Sequence, residues 1–170
     1  MSDVAKAADV SEGIIFHHFK NKRGLLTAVA ASHGHGVATA MFEGILPGQR
    51  PDVERMIRAT FRYAQEHGKL EHMLVMTDDV SGANQVMRAT NEVIVAALTQ
   101  AFIQWRAAGF IETERPEIAA SLIFGMVSHG VHECITYGDG AQAEEYIQEA
   151  VACAEGALGY DGPSEVTKKS

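Results

Sequence analysis

Proline, cysteine and long apolar runs are all scarce in this sequence of 170 residues. Only four prolines are present, which favours helix along most of the chain. Two cysteines, Cys134 and Cys153, are too few for a disulfide framework and predict a reducing, cytoplasmic environment. The longest apolar stretches are shorter than a membrane span, and the first residues lack the pattern of a secretory signal. We therefore expect a cytoplasmic protein without a membrane segment.

Common catalytic and cofactor motifs are also missing. The sequence has no H-E-x-x-H, no Cys-x-x-Cys, no phosphate-binding loop and no nucleophile elbow. We therefore predict a protein that is not an enzyme and that needs no cofactor. Substrate turnover would distinguish the alternative, a hydrolase-like site without a known motif, because a regulator only binds.

Negative charge prevails, but it is unevenly distributed. The net charge is −8, whereas residues 1–26 carry +1 and residues 51–170 carry −9. Because the acidic bulk would repel nucleic acid, any DNA contact must be confined to the N-terminal edge. On charge alone, a chance difference of this size explains the asymmetry equally well.

Apolar residues recur at helical spacing along nearly the whole chain, and no strand-like alternation persists. The sequence therefore predicts an all-α fold. We expect helices at about 2–8, 12–19, 22–45, 52–67, 70–77, 84–108, 116–137 and 141–158, with Gly68 ending the fourth. Residues 1–45 would form a helix-turn-helix region with a connecting helix, 46–160 a helical ligand-binding and dimerisation domain, and 161–170 a disordered tail.

The stretch SEGIIFHHFKNK at residues 11–22 combines capping, aromatic and basic residues. Ser11 and Asn21 are predicted N-caps, so two short helices joined by a tight turn precede a longer one. Such a pair has the geometry of a helix-turn-helix, whose second helix enters the major groove. Gly13 would allow a close approach to DNA. Ile15 and Phe19, four residues apart, would anchor the helix to the protein.

Four basic or imidazole side chains in this stretch are candidates for phosphate contacts. His17 and His18 can donate hydrogen bonds, and Lys20 and Lys22 lie where the next helix begins and its N-terminal partial charge is positive. A small surface helix whose aromatic residues merely fill the core remains the alternative.

These residues carry a family resemblance. DVAKAADVSEGIIFHHFKNKRGLL resembles the DNA-reading segment of the TetR (tetracycline-repressor-like) transcriptional regulators. The family pattern is matched at Ser11, Gly13, Phe19, Lys22 and Leu25, with Phe16 in the place of a tyrosine. The resemblance implies a homodimeric repressor that is released from operator DNA by a small-molecule effector. With the phosphate candidates it implies a DNA-binding set of Ser11, Gly13, Ile14, Phe16, His17, His18, Lys20 and Lys22.

The sequence departs from the family pattern in three ways. Phe16 lacks the hydroxyl with which the usual tyrosine binds phosphate. Ile14 replaces a common threonine or serine and can make only apolar contacts, for example to a thymine methyl group. The resemblance starts at the family's second helix, so we expect a DNA-binding region that lacks the first. A helical ligand-binding dimer with weakened or no DNA binding is therefore the alternative function.

Aromatic, methionine and histidine residues on the later helices predict an apolar effector pocket. The candidate ligand-binding residues are Phe61, His67, Met73, Met76, Phe102, Trp105, Phe124 and His129. His67 or His129 would orient the ligand. Each of these residues could instead simply fill the core.

The histidines also raise the possibility of a metal-responsive regulator. His129 and His132 are three residues apart on one helix, and His67 and His72 flank Gly68. His-x-x-His without a specified third ligand is a weak signal, so no metal is predicted.

Two apolar stripes on the last helices predict the homodimer interface, in which two helices from each subunit would form a four-helix bundle. The candidate interface residues are Leu122, Met126, Tyr146, Ile147, Ala150, Val151 and Ala154. Packing of the same stripes within one subunit would give the same periodicity.

Overall fold

The computed structural model describes residues 1–45, 48–75 and 83–160, and the side chains in these ranges apart from those of 69–75, 83 and 84. All regular secondary structure in these ranges is helical, which confirms the predicted fold class. The helices are α1 Ser2–Ala7, α2 Glu12–Phe19, α3 Lys22–Phe42, α4 Val53–Val75, α5 Ala83–Ala107, α6 Pro116–Val131 and α7 Ala143–Leu158, with a π-helical segment at His132–Thr136.

The second and third helices begin at the predicted caps. Ser11 Oγ accepts a hydrogen bond from the backbone N–H of Ile14 at 3.3 Å, and Asn21 Oδ1 accepts one from Gly24 at 2.9 Å. Between α1 and α2, Asp9 has a φ of +53°, a left-handed conformation that aspartate tolerates better than most residues. α1 and α2 are thus two short helices joined by a sharp turn.

The main core lies between α4, α5, α6 and α7, with the end of α3 packed against it. α6 starts with Pro116 in its first turn, where the missing N–H costs nothing. It then buries Ala119, Ile123, Val127 and Val131 at helical spacing. Fully burying a side chain such as valine or isoleucine contributes roughly 1.5–3 kcal/mol. The apolar faces of the four helices therefore hold the C-terminal region together.

Polar contacts attach both ends of α7 to neighbouring segments. Arg58 of α4 donates two hydrogen bonds to the Glu144 carboxylate, at 2.7 and 2.8 Å, and lowers the pKa of Glu144 to about 2. Just beyond α7, the Tyr160 hydroxyl donates to the carbonyl of Pro51. The Arg50 guanidinium lies 4.9 Å from the centre of the Tyr160 ring. α7 is therefore held to α4 and to the segment that precedes it.

Two predicted helix ends are wrong. α3 stops at Phe42, before the predicted Ile45, and α4 continues through Gly68 to Val75. A Cβ atom at position 68 would lie 3.2 Å from Cγ2 of Ile135. Gly68 is thus a point of close approach between α4 and the π-helical segment, and not a helix end. The predicted helix at 70–77 is the end of α4 as far as Val75.

Helical residues Pro116–Thr136 are long and apolar enough to cross a membrane by length and composition alone. The core helix of a water-soluble protein passes the same test, and this helix buries the α6 residues named above in the core. The predicted tail at 161–170 lies outside the described residues.

Candidate nucleic-acid interface and ligand cavity

α2 presents an exposed face of residue types that bind nucleic acid. Its inner side is anchored by Ile15, which is buried. Phe16 is 59 % exposed. Large aromatic side chains are usually more buried than this unless they belong to a binding surface. The structure exposes all eight predicted DNA-facing residues: Ser11, Gly13, Ile14, Phe16, His17, His18, Lys20 and Lys22.

A tight junction fixes α2 to α3. Lys20 has a φ of +64° and turns the chain, and the Asn21 cap starts α3 immediately afterwards. At Gly24, in the first turn of α3, an added Cβ atom would collide with the carbonyl oxygen of Phe19. The direction of α2 is therefore set by backbone contact with α3, and a movement of α3 carries α2 with it.

A chamber with an almost entirely apolar lining, called the dry chamber below, lies in the main core. Its volume is about 30 Å³. Only Thr60 and Trp105 of its lining side chains carry an O–H or N–H group, and the Thr60 hydroxyl donates to the carbonyl of Met56 at 3.0 Å. The lining residues are Met41, Val53, Met56, Ile57, Thr60, Leu98, Phe102, Trp105, Ile123, Phe124, Val127 and Leu158.

A second chamber of about 70 Å³ adjoins the first and has a polar end. Its lining includes His33, Asn91, Ser128 and His132, which come from α3, α5, α6 and the π-helical segment. The two chambers share Met41, Thr60, Phe124 and Val127, and together they form the ligand cavity.

α3 forms one wall of the ligand cavity and packs closely on its neighbours through glycines. A Cβ atom at Gly34 would lie 2.9 Å from Cβ of Thr90 on α5, and one at Gly36 would lie 2.8 Å from Cε2 of Tyr63 on α4. Contacts this short do not occur, so a side chain at either position would require the Thr90 or Tyr63 side chain, or a helix, to shift. The Tyr63 hydroxyl also donates to the carbonyl of His33 at 3.4 Å. α3 therefore has little freedom beside the cavity.

Known proteins share both the N-terminal sequence and the fold. Residues 1–29 match the family model described as bacterial regulatory proteins, tetR family. A TetR-family transcriptional regulator from Rhodococcus sp. has a TM-score of 0.73 at 19 % identity, over 92 % of this chain and 85 % of that one. PfmR, a TetR-family transcriptional regulator from Thermus thermophilus, has a TM-score of 0.53 at 16 % identity, over 95 % and 88 %.

The N-terminal segment thus matches the TetR-family model, and the whole chain has the fold of TetR-family regulators. At these identities the solved structures show the fold alone. No curated protein matches the sequence.

The structure divides the predicted ligand-binding residues. Phe102, Trp105 and Phe124 line the cavity. Phe61 is fully buried in the core and is not part of the lining, and His129 is exposed on the outside of α6.

The remaining ligand-binding predictions do not reach the cavity either. His67 stacks on Tyr63 with ring centres 4.1 Å apart and is not among the lining residues. The side chains of Met73 and Met76 lie outside the described residues. Phe61, His67 and His129 thus do not line this cavity, and their role in ligand binding stays a prediction.

Sequence reasoning missed the polar end of the cavity. Ser128 and His132 are four residues apart and share a helix face with the predicted Phe124, which was an available signal. His33 gave a weaker signal because its neighbours on α3 are mostly alanine and glycine.

The four weak metal candidates do not form a site among the described residues. His129 is exposed, His132 lines the cavity and His67 lies against Tyr63. The described part of the chain contains no group of three His, Cys, Asp or Glu residues placed to hold a metal ion. The side chain of His72 lies outside it.

The structure also divides the predicted dimer-interface residues. Ile147, Ala150 and Ala154 are buried in the core of their own chain and are not available to a partner. Leu122, by contrast, is 69 % exposed on α6. Met126, Tyr146 and Val151 are half-buried against the core.

Exposed small and apolar residues form one stripe on α6 and another on α7, which packs against α6, and we call the two stripes together the α6–α7 face. Ile118 and Leu122 are its large apolar residues. Added Cβ atoms at Gly125 and Gly156 would meet no atom within 4 Å, so another helix could approach closely there. The α6–α7 face consists of Ile118, Leu122, Gly125, His129, Ala152, Cys153 and Gly156.

Proposed function

We propose that the protein is a cytoplasmic, homodimeric repressor that binds operator DNA through α2 and is released by a small apolar molecule in the ligand cavity. The observation that carries this proposal is the continuity of α3. This helix runs unbroken from the α2 junction at Lys22 to the cavity wall at His33, Val37 and Met41. One rigid element therefore connects the candidate DNA-binding face to the candidate effector site.

Release would follow from a movement of α3. The glycine contacts of α3 with α5 and α4 leave little room, so a ligand that fills the cavity would displace this helix. His33 lies about 16 Å along the helix from Lys22, at 1.5 Å per residue. In a dimer, displacement of both α3 helices would change the spacing of the two α2 helices, which must match major grooves about 34 Å apart. The effector and DNA would thus favour different states of one protein.

The homodimer in this proposal is supported by the α6–α7 face. The face joins large apolar residues to small ones, a composition that allows two helices to pack closely. Exposed leucine and isoleucine side chains on adjacent turns are also costly to leave in water. Two copies of the face that pack around a two-fold axis would cover these side chains in both subunits and form a symmetric four-helix arrangement.

Operator selection followed by fluorescence anisotropy tests the proposal. The protein is mixed with a random duplex library, and enriched sequences are titrated at two salt concentrations. We expect two-fold-symmetric sites, a steep salt dependence and release when a cavity-binding molecule is added. Failure to enrich any sequence, with the protein folded by circular dichroism, would contradict DNA binding.

Exposed valines in the DNA-binding region favour a second candidate, a ligand-binding dimer with weakened DNA binding. Val4 and Val10 are both exposed large apolar residues on or beside the two short helices. Short helices need packing partners because helix nucleation is costly.

A fused amphipathic helix of about 15 residues before Met1 tests this alternative, with a polar version of the same length as the control. If only the amphipathic fusion binds operator DNA tightly, the second candidate describes the chain of 170 residues. If the unfused chain binds as tightly as the fusion, the second candidate is wrong.

A further inference from the structure

The two ends of the ligand cavity differ in chemistry, and we infer that its ligand is a small monocarboxylic acid with an apolar body. This inference deepens the proposed function, on which it rests for the role of the cavity as an effector site. The apolar body occupies the dry chamber, and the carboxyl group lies among His33, Asn91, Ser128 and His132.

The dry chamber selects the body of the ligand. Its lining side chains are apolar apart from the Trp105 indole N–H and the Thr60 hydroxyl, which is already bonded to Met56. Phe102 and Trp105 lie with ring centres 5.5 Å apart and offer an aromatic wall. A polar substituent here would lose its water and find at most the indole N–H as a partner, which is unfavourable. The body is therefore a hydrocarbon chain or a phenyl ring.

The polar end selects the head group. Imidazole, amide and hydroxyl groups can all donate hydrogen bonds to an oxygen acceptor. The described lining of both chambers contains no Asp, Glu, Lys or Arg. A cationic head would therefore find no carboxylate, and a permanently charged anion would find no fixed cation.

A carboxylic acid meets this electrostatic requirement because its carboxylate can bind together with one proton taken from water. As the carboxylate binds, the imidazole nitrogen of His33 or His132 takes up this proton from water. The carboxylate and the imidazolium then form an ion pair with no net charge added to the cavity. Charge-assisted hydrogen bonds from the other donors are stronger than bonds to a neutral head. A neutral amide cannot form this pair, and an amine would need an acceptor.

Cavity size limits the ligand. The chambers measure about 70 and 30 Å³, whereas an engineered cavity of about 150 Å³ is enough to hold benzene. Both chambers together are smaller than that cavity, so even a ligand of one aromatic ring with a short side chain must displace part of the wall, as the proposed movement of α3 would allow.

Calorimetry on the full-length protein without DNA tests the head group. The probes are 3-phenylpropanoic acid, its amide, 3-phenylpropylamine and propylbenzene, which share one body. We expect the acid to bind about tenfold or more tightly than the amide, as the gain from hydrogen bonds to a charged group implies, and the amine not to bind. An amine that binds as tightly as the acid, or an acid that produces no heat and no thermal shift, overturns the inference.

Ser128→Ala assigns the head group to the polar end. It is expected to weaken acid binding about tenfold and to leave propylbenzene binding unchanged. Ser121→Ala, the same change at an exposed position of α6, is the matched control and should alter neither. Equal weakening of both probes by Ser128→Ala would contradict the placement of the carboxyl group.

Operator release separates this inference from the proposed function. An acid that binds with the predicted pattern but leaves a protein–operator complex intact would contradict the release mechanism and support the ligand class. An amine that releases the operator where the acid does not would overturn the ligand class and support the release mechanism.

Discussion

Gly34 of α3 lies directly against Thr90 of α5, so closely that no side chain fits between the two helices. An added Cβ atom at Gly34 would lie 2.9 Å from Cβ and 3.1 Å from Oγ1 of Thr90. The Thr90 hydroxyl donates to the carbonyl of Val86 at 2.9 Å, which holds the side chain in place. This contact fixes the distance between α3 and α5 at the edge of the cavity.

Gly34→Ala is expected to lower the free energy of unfolding by about 1–3 kcal/mol, the usual cost of overpacking. It should also weaken operator binding, because α3 must move away from α5 and carries α2 with it. Thr90→Ala removes two of the colliding atoms, so the double variant should recover part of both losses. Chemical denaturation and anisotropy measure the two effects. Simple additivity of the single variants would show that the two residues do not interact.

Replacing Lys20 or Lys22 should weaken operator binding without changing stability. Both side chains are exposed, so Lys20→Ala and Lys22→Ala should melt like the unchanged protein. Each lost phosphate contact should reduce the slope of log K against log salt by about one. Arg88→Ala, an exposed cation on α5, is the control. An equal loss of affinity in this control would mean that operator binding depends on net charge and not on phosphate contacts of Lys20 and Lys22.

Leu122→Glu should convert the dimer to monomers, because it places a charge on the α6–α7 face. Light scattering measures the mass, and circular dichroism confirms that the helices remain. Ile103→Glu makes the same kind of change at an exposed isoleucine of α5 and should leave the dimer intact. Dimers in both variants would move the interface to another surface. Ala150→Arg cannot test the interface, because it would disrupt the core of the single chain.

Cross-linking through Cys153 gives a second measure of the same interface. Cys153 is exposed on α7, whereas Cys134 is buried, and burial raises the pKa of the Cys134 thiol. A short bismaleimide should therefore join two chains through Cys153 alone. Cys153→Ser should abolish the cross-linked band, and Cys134→Ser should not.

The Arg58–Glu144 ion pair predicts a defined pH dependence. The hydrogen bonds from Arg58 lower the pKa of Glu144 from 4.5 to about 2. Because the folded-state pKa is the lower one, the pair stabilises the protein above about pH 4.5 and is lost as the pH falls towards 2. Glu144→Gln should reduce the melting temperature slightly at neutral pH, since both partners are exposed.

That difference in melting temperature should shrink and vanish across the same pH window. Glu149→Gln, an exposed glutamate on the same helix, is the control and should show no such window. A Glu144→Gln deficit that persists below pH 2 would mean that the carboxylate charge does not matter.

Local features of the fold could be predicted from the sequence, and contacts between distant segments could not. The caps at Ser11 and Asn21 act within three residues, so their sequence context was sufficient. Gly68 misled because a glycine can mark either a helix end or a close helix contact, and the deciding neighbour, Ile135, is distant in sequence.

The candidate site shows the same division. The apolar residues Phe102, Trp105 and Phe124 were predictable from periodicity. His33 and Ser128 are far apart in the sequence, and only folding brings both to the polar end of the cavity. Ala150 shows a further limit, because periodicity identifies an apolar stripe but not the chain that covers it.

Because α3 is continuous, ligand preference can be changed separately from DNA affinity on some helices of the protein but not on others. Asn91 and Ser128 reach the cavity from helices that do not contact α2, so substitutions there can redirect ligand preference while the DNA preference is kept. His33 lies on the helix that also carries the Asn21–Gly24 junction with α2, so a new ligand obtained by changing His33 would alter the unliganded affinity for the operator as well. Libraries for a new sensor therefore belong on α5 and α6.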